Sequence, residues 1–349
     1  MSQIVIEESL FGKLSNKQNV KKYKMTNQNG FSVSLISYGA SIQAVHVKDK
    51  NGQVVNVALG FDTLEEYLAN SYFGSTVGRV ANRISNAEFN LNGIVHNLEK
   101  NEGKNNHHGG SSSLAYQNWA STIVDNYVKF SYVSPDGEGG FPGEVWFDAI
   151  YRLEENENIL LIEYKAITDK PTPVSLTNHF FFNLNGHDSN ETIRNHLIRI
   201  NSDKILEMNS DNTVTGKVIP VESTKNDLRN YTLLSDRIEK DVKWPENGFD
   251  NFFISNDSSS DLKELASVKN PSNGIKFDLK SNQLGLFFYS GNFLDIKTSS
   301  GANYNMHHGF CLEAHNYPDS VNQESFPSCI LNPDIEYSHI TSLAFSIEN

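Results

Sequence analysis

The chain has 349 residues, a formal net charge of -13, 21 Phe and 14 Tyr. That acidic balance excludes a general nucleic-acid or anionic-membrane binder, which would carry a basic field, and suits a neutral small ligand. Two cysteines, Cys311 and Cys329, without a paired CxxC, exclude a disulfide framework and give no zinc motif, so reduced thiols and a cytoplasmic setting are expected.

The first ten residues lack the basic region and continuous apolar run of a secretory signal. No later run approaches the roughly 20 apolar residues that span a bilayer. From residue 19 onward, short apolar runs alternate with Asn, Gly, Asp and Ser. Asn27-Gln28-Asn29-Gly30 predicts a turn, Phe31 to Leu35 an alternating strand, and Lys48-Asp49-Lys50-Asn51-Gly52 a second turn between strands. Asp62-Thr63-Leu64-Glu65 has the form of a capping box opening a short helix through Leu68.

Gly78-Arg79-Val80-Ala81-Asn82-Arg83-Ile84 sets two arginines and an amide among small residues. It reads either as a surface segment with solvated arginines or as a fork and amide that hydrogen-bond ligand oxygens. Asn105-Asn106-His107-His108-Gly109-Gly110 invites a metal hypothesis, yet neighbours on an extended backbone point opposite ways and no Cys or acidic cluster accompanies them. The pair in Met306-His307-His308-Gly309 has the same defect, and no metal is expected.

Val128 to Val133 predicts a strand, Ser134 to Gly143 a glycine-dense connection, Glu144 to Ile150 the returning strand, and Ile159 to Tyr164 a more buried one. Next comes Thr177-Asn178-His179-Phe180-Phe181-Phe182-Asn183. As a strand it sends Val174, Leu176, Phe180, Phe182 and Leu184 one way and Ser175, Thr177, His179 and Asn183 the other, with Asn178 and Phe181 out of pattern. His179 therefore lies on the more polar face, where an imidazole stays usable as an acid or base; the alternative is a structural histidine bonded to backbone.

Ser235 to Val242 predicts a second short helix, and residues 261 to 270 fit helix or strand. Asp250, in Asn247-Gly248-Phe249-Asp250-Asn251-Phe252-Phe253, is either a turn aspartate or an acceptor for sugar hydroxyls among rings. In Gly309-Phe310-Cys311-Leu312-Glu313-Ala314-His315, alternation puts Cys311, Glu313 and His315 on one face, so Glu313 is a cross-strand partner or a second usable titratable group. No phosphate-binding loop or nucleophile elbow occurs. With no fixed-period repeat and no Pro/Ser-rich linker, residues 1–349 are expected to form a single all-β domain.

Taken in order, Gly78 to Ile84, His108-Gly109-Gly110, the Ser134 to Gly143 loop, Leu176-Thr177-Asn178-His179, Asn247 to Asp250, Gly291-Asn292-Phe293 and Leu312-Glu313 resemble the aldose 1-epimerase, or galactose mutarotase, family, over about residues 30 to 345. The resemblance implies a large antiparallel β-sandwich (galactose mutarotase-like supersandwich) with a few short helices and an open cleft. It also implies no cofactor, a free aldose as the small-molecule partner, and interconversion of α and β anomers by a monomer or homodimer. By motif, Glu313 would be the general base, His179 the general acid, and Asn82, Arg83, His108 and Asp250 the sugar-binding set. Glu313 is then expected ionised and His179 at least partly protonated near neutral pH, with Asp250 favouring the imidazolium. One departure bears on sugar preference: Phe287 stands where some relatives place a glutamine ahead of the Tyr-x-Gly-Asn segment. Competing readings are a non-catalytic sugar-binding module and an epimerase of hexose 6-phosphates, which would need a cationic pocket beyond Arg79 and Arg83.

Overall fold

Turn chemistry sets up the first sheet. Asn27 folds its side-chain oxygen back to accept from the amides of Asn29 and Phe31, and Gly30 takes φ 78° between strands Asn19–Thr26 and Ser32–Ile36. Asp49 accepts from Asn51 and Gln53 in the same way, between Ser41–Lys48 and Val54–Asn56. Together with Val5–Lys13 these strands form a five-stranded antiparallel sheet. The computed structural model of the chain describes residues 4–240, 242–243, 245 and 247–348.

A nine-stranded sheet follows, in the order Ala120–Val124, Tyr127–Ser134, Val145–Leu153, Ile159–Thr168, Tyr337–Ile347, Ile275–Ser281, Lys263–Lys269, Leu197–Ile200 and Thr232–Leu233. A second five-stranded sheet runs Val214–Pro220, Lys204–Met208, Asp250–Ile254, Gly285–Tyr289 and Cys311–His315. One buried cluster joins all three, with Tyr23, Val33 and Val45 from the first, Phe130, Ile162, Phe277 and Leu343 from the second, and Phe253, Phe288 and Leu312 from the third. The architecture is therefore the antiparallel sandwich expected, with its apolar faces packed together. Phe182 sits edge-on to Phe277, Phe310 and Phe345 near the centre, where the apolar half of the His179 segment meets the core.

Three expectations are corrected. The helix spans Leu64–Ala69 and its N-cap is Thr63, whose side chain accepts from the Glu66 amide, so the capping signal sits one residue later than Asp62 to Glu65 suggested. The second helix reduces to one 3-10 turn at Leu234–Asp236, while Asp241, inside the predicted range, lies outside the described residues. The ambiguous stretch becomes strand Lys263–Lys269; four consecutive residues, Leu265 to Val268, are buried there, which hides the alternation of a half-exposed strand. Among the described residues no helix is long and apolar enough to cross a membrane.

Candidate active site

Strand register builds the floor of the main pocket. In the second five-stranded sheet Asp250 pairs with Tyr289 and Tyr289 with Cys311; one step along, Phe252 pairs with Phe287 and Phe287 with Glu313. Side chains on alternate positions share a face. Phe253, Leu286, Phe288, Leu312 and Ala314 therefore enter the core, and Asp250, Phe287, Tyr289 and Glu313 line the pocket.

His179 arrives from a short strand, Thr177–His179, paired with Ser75–Val77. Its carbonyl accepts from Gly74, which has φ 67° and no room for a side chain, since a Cβ there would stand 2.0 Å from the Ile42 carbonyl oxygen. His179 Nε2 lies 3.4 Å from Glu313 Oε1, and the Cys311 thiol lies 3.7 Å from Nδ1. The ring is held by Tyr72, stacked at 5.7 Å and 28°, and by Phe181 and His108 at 5.1 and 5.3 Å.

A second wall comes from two loop residues that lock each other. Asn82 and His108 both have positive φ, 65° and 54°. The Asn82 amide donates to His108 Nδ1 at 3.1 Å, and the His108 amide donates to the Asn82 carbonyl at 3.0 Å. A neutral His108 whose Nδ1 accepts must carry its proton on Nε2, so the ring presents a donor. Arg83 forms a two-pronged contact with Glu102, at 2.5 and 2.7 Å. Asp250 is 7% exposed, and its carboxylate, which makes no hydrogen bond to a described residue, keeps its acceptors for a ligand.

All six residues singled out in the sequence, Asn82, Arg83, His108, His179, Asp250 and Glu313, thus line one cavity of about 290 Å³, at the small end of ligand pockets. Arg79 does not join them. Its buried guanidinium donates to Ser134 Oγ and to the carbonyls of Ser134, Pro135 and Pro142, tying down the Ser134 to Gly143 loop, and burial lowers its pKa to about 10. Arg79→Met should cost on the order of 3 kcal/mol, since several buried carbonyls lose donors. Denaturant unfolding checks this, and an unchanged midpoint would mean the loop holds without it.

Electrostatics overturn one expectation. Burial, then the Asp250 charge, pushes Glu313 well above the usual carboxylate range despite Arg83, while burial lowers His179 to about 4. Both charged forms are disfavoured because both groups are sealed from water, and the charge that acts on the imidazole is that of His315, which lowers it further, rather than the expected Asp250. Burial thus favours the neutral forms of the pair, carboxylic acid and neutral imidazole. Burial likewise raises Asp250 to about 6, aided by Glu102 and opposed by Arg83.

His108, His179 and Glu313 each offer a ligand atom, all within 4.8 Å of one another, so these three could hold a metal ion. Nor do the adjacent histidines at this site point apart, as two neighbours on an extended backbone would. His108 is left-handed rather than extended, and the His107 and His108 rings lie 3.8 Å apart, both facing the cavity. His307 and His308 instead contact backbone carbonyls of Ser290 and His187, and both cysteines are free and buried.

The sequence model of the aldose 1-epimerase family matches residues 21–344. The chain belongs to this family. It is 39% identical to galactose mutarotase from Sus scrofa over 348 residues, 99% of each chain. It is 32% identical to aldose 1-epimerase from Escherichia coli (strain K12) over 330 residues, covering 93% of this chain and 94% of that one. Among solved structures, a GalM/aldose epimerase homologue from C. elegans superimposes with a TM-score of 0.86 at 28% identity, covering 93% of this chain and 98% of that one.

Sequence reasoning missed several pocket residues of this family member. Glu102 sits in a turn-like Asn-Glu-Gly-Lys stretch that gives no sign of its pairing with Arg83. Tyr72 carries no motif, and its stacking depends on a positive φ of 70°. Phe287, flagged only as a departure, places a phenyl ring on the pocket wall and packs on Leu206, Val214 and Phe252 behind it.

Proposed function

We propose that the protein interconverts the α and β anomers of free hexoses of the galactose and glucose type by acid/base ring opening, rotation about the bond between C1 and C2, and reclosure. The observation that carries this is the 3.4 Å contact between His179 Nε2 and Glu313 Oε1 on the floor of a cavity sized for a monosaccharide. Glu313, as carboxylate, takes the proton of the anomeric hydroxyl; His179, as imidazolium, gives one to the ring oxygen. That charged arrangement is one proton transfer away from the neutral pair of the empty pocket, and ligand hydroxyls donating to Glu313 favour it. Opening the ring returns the pair to acid and neutral imidazole, the arrangement burial prefers. Energy stored in the charged pair is thereby released as the aldehyde forms. Reversal of both transfers after rotation yields the other anomer.

His108 Nε2–H, the Asn82 side-chain Nδ2 and Arg83 donate to sugar oxygens, and Asp250 accepts from hydroxyls. No step is routed through a metal, and activity should persist after exhaustive chelation. The whole of residues 1–349 is read as one domain, supported by a core cluster running from Ile4 to Phe345. The free buried thiols favour a cytoplasmic protein, and the acidic charge disfavours nucleic acid and anionic membranes as partners. A monomer or homodimer is the assembly that the family resemblance implies.

The test is anomer exchange, followed by polarimetry or NMR, across galactose, glucose, xylose, arabinose and glucose 6-phosphate. Free hexoses should exchange faster than the uncatalysed reaction and glucose 6-phosphate should not, because no lysine among the described residues lines the pocket and the Arg83 charge is already balanced by Glu102, which leaves its remaining N–H groups for neutral oxygens only. Bound sugar without faster exchange would make the protein a binding module.

A further inference from the structure

A larger cleft lies on the outer face of the first sheet. Its register places Lys24 beside Ser34 and Ser34 beside Ala44, with His46 beside Asn56 one step further on. Tyr23, Met25, Val33, Val45 and Val47 point the other way, into the core. The loops carrying Asp62, His187 and Asp188 close the far side. The resulting space, about 460 Å³, exceeds the catalytic cavity of about 290 Å³ and shares no lining residue with it.

Its chemistry is divided. Lys22, Lys24, His46 and His187 bring positive or donor groups close enough that Lys22, Lys24 and His187 all oppose protonation of His46. Lys22 and Lys24 form no direct ion pair among the described residues; burial disfavours the charge on Lys22, while the nearby Asp62 favours it and Lys24 opposes it. Beside them lie groups suited to hydroxyls. Gln43 is 5% exposed and spends its Nε2 on the Phe61 carbonyl, leaving Oε1 without a partner; His46 Nδ1 is likewise buried and unpartnered. Asn56 uses its oxygen on the Val45 and Ala58 amides, which turns its amino group toward other acceptors. Asp62 and Asp188 add carboxylate acceptors.

A simple anion would meet the two carboxylates unfavourably, and a neutral sugar would leave two lysines unanswered. A ligand with one phosphate and several hydroxyls answers both halves. We propose that this cleft is a second ligand site that binds a phosphorylated monosaccharide, its phosphate on Lys22, Lys24 and His46 and its hydroxyls on Gln43, Asn56 and the two aspartates. Such a compound is what phosphoryl transfer to a free aldose produces. The proposal does not depend on the catalytic reading of the other pocket.

The test is titration calorimetry of the full chain with glucose 6-phosphate, with galactose present at saturation to occupy the catalytic cavity. One equivalent should bind, the Lys22→Gln/Lys24→Gln variant should weaken it at least tenfold, and galactose exchange by that variant should stay at the wild-type rate. Lys24→Glu alone, at an exposed position, should weaken it in the same direction if the double variant folds poorly. The proposal is overturned by absence of binding, by binding that appears only when galactose is left out, by affinity unchanged in the variants, or by inorganic phosphate binding as tightly as the sugar phosphate.

Discussion

Glu313→Gln is expected to fold normally and to slow galactose mutarotation by about 10²- to 10⁴-fold, the contribution of one positioned acid or base. The substitution keeps the shape of the side chain and removes only its proton chemistry. Folding should not suffer, because the native Oε2 is buried without a hydrogen-bond partner and its carboxylate form is already disfavoured. His179→Gln should show a loss of similar size. The double variant should be scarcely slower than the worse single one, since both transfers belong to one event and removing either disables it. Polarimetry corrected for the uncatalysed rate reads all three, and near-full activity in either single variant would remove the pair from the mechanism.

The same coupling fixes the pH dependence. The active state holds one proton on the pair, whichever atom carries it, so apparent pKa values belong to the pair rather than to either residue. On the acid side the neutral pair gains a second proton as pH falls toward the His179 value of about 4. On the alkaline side it loses its only proton, at a pH that the raised Glu313 value moves upward. A broad plateau in kcat around neutrality is expected rather than a narrow optimum.

How far the sequence foretold this depends on what each residue's position requires. Alternation was enough to put Glu313 and His179 on polar faces, because strand geometry alone decides which way a side chain points. It could not show that both faces of the His179 strand are buried. Phe181, out of pattern in the sequence, stacks on Phe73, which stacks in turn on Tyr304, in a second apolar cluster on the histidine's own side. That burial is what reverses the expected charge state.

Where the backbone leaves extended geometry, the reading failed. His108 was judged by rules for strands, yet its positive φ brings it beside His107 and against Asn82. Arg79 and Arg83 looked equivalent four residues apart; one ties down a loop and the other lines the pocket, a difference set by distant partners in Ser134 to Pro142 and at Glu102. Contacts of that kind have no local signature. The family resemblance singles out Arg83, which does line the cavity, because the motif's order carries tertiary information that composition lacks.

Asp250→Asn should weaken galactose binding by about 10- to 100-fold, the size of one hydrogen bond to a charged group, and yet stabilise the empty protein at alkaline pH. The carboxyl has a pKa of about 6 in the fold, against roughly 3.9 in an unfolded chain. A folded-state pKa raised in this way means the native protein holds the proton more tightly than the unfolded chain. Ionised Asp250 therefore destabilises the fold fully above pH 6, progressively less between 6 and 4, and not at all below. A shift of about two units corresponds to roughly 3 kcal/mol at most, and Asn, which cannot ionise, should recover much of it at pH 8 and little at pH 4. Denaturant unfolding at the two values tests this, and a variant less stable than wild type at pH 8 would refute it. In the wild type, the KM for galactose should rise as pH falls through about 6, because the protonated carboxyl is a poorer acceptor. A buried carboxylate left without protein partners thus lowers stability in the empty site and returns that energy when sugar hydroxyls supply the missing donors.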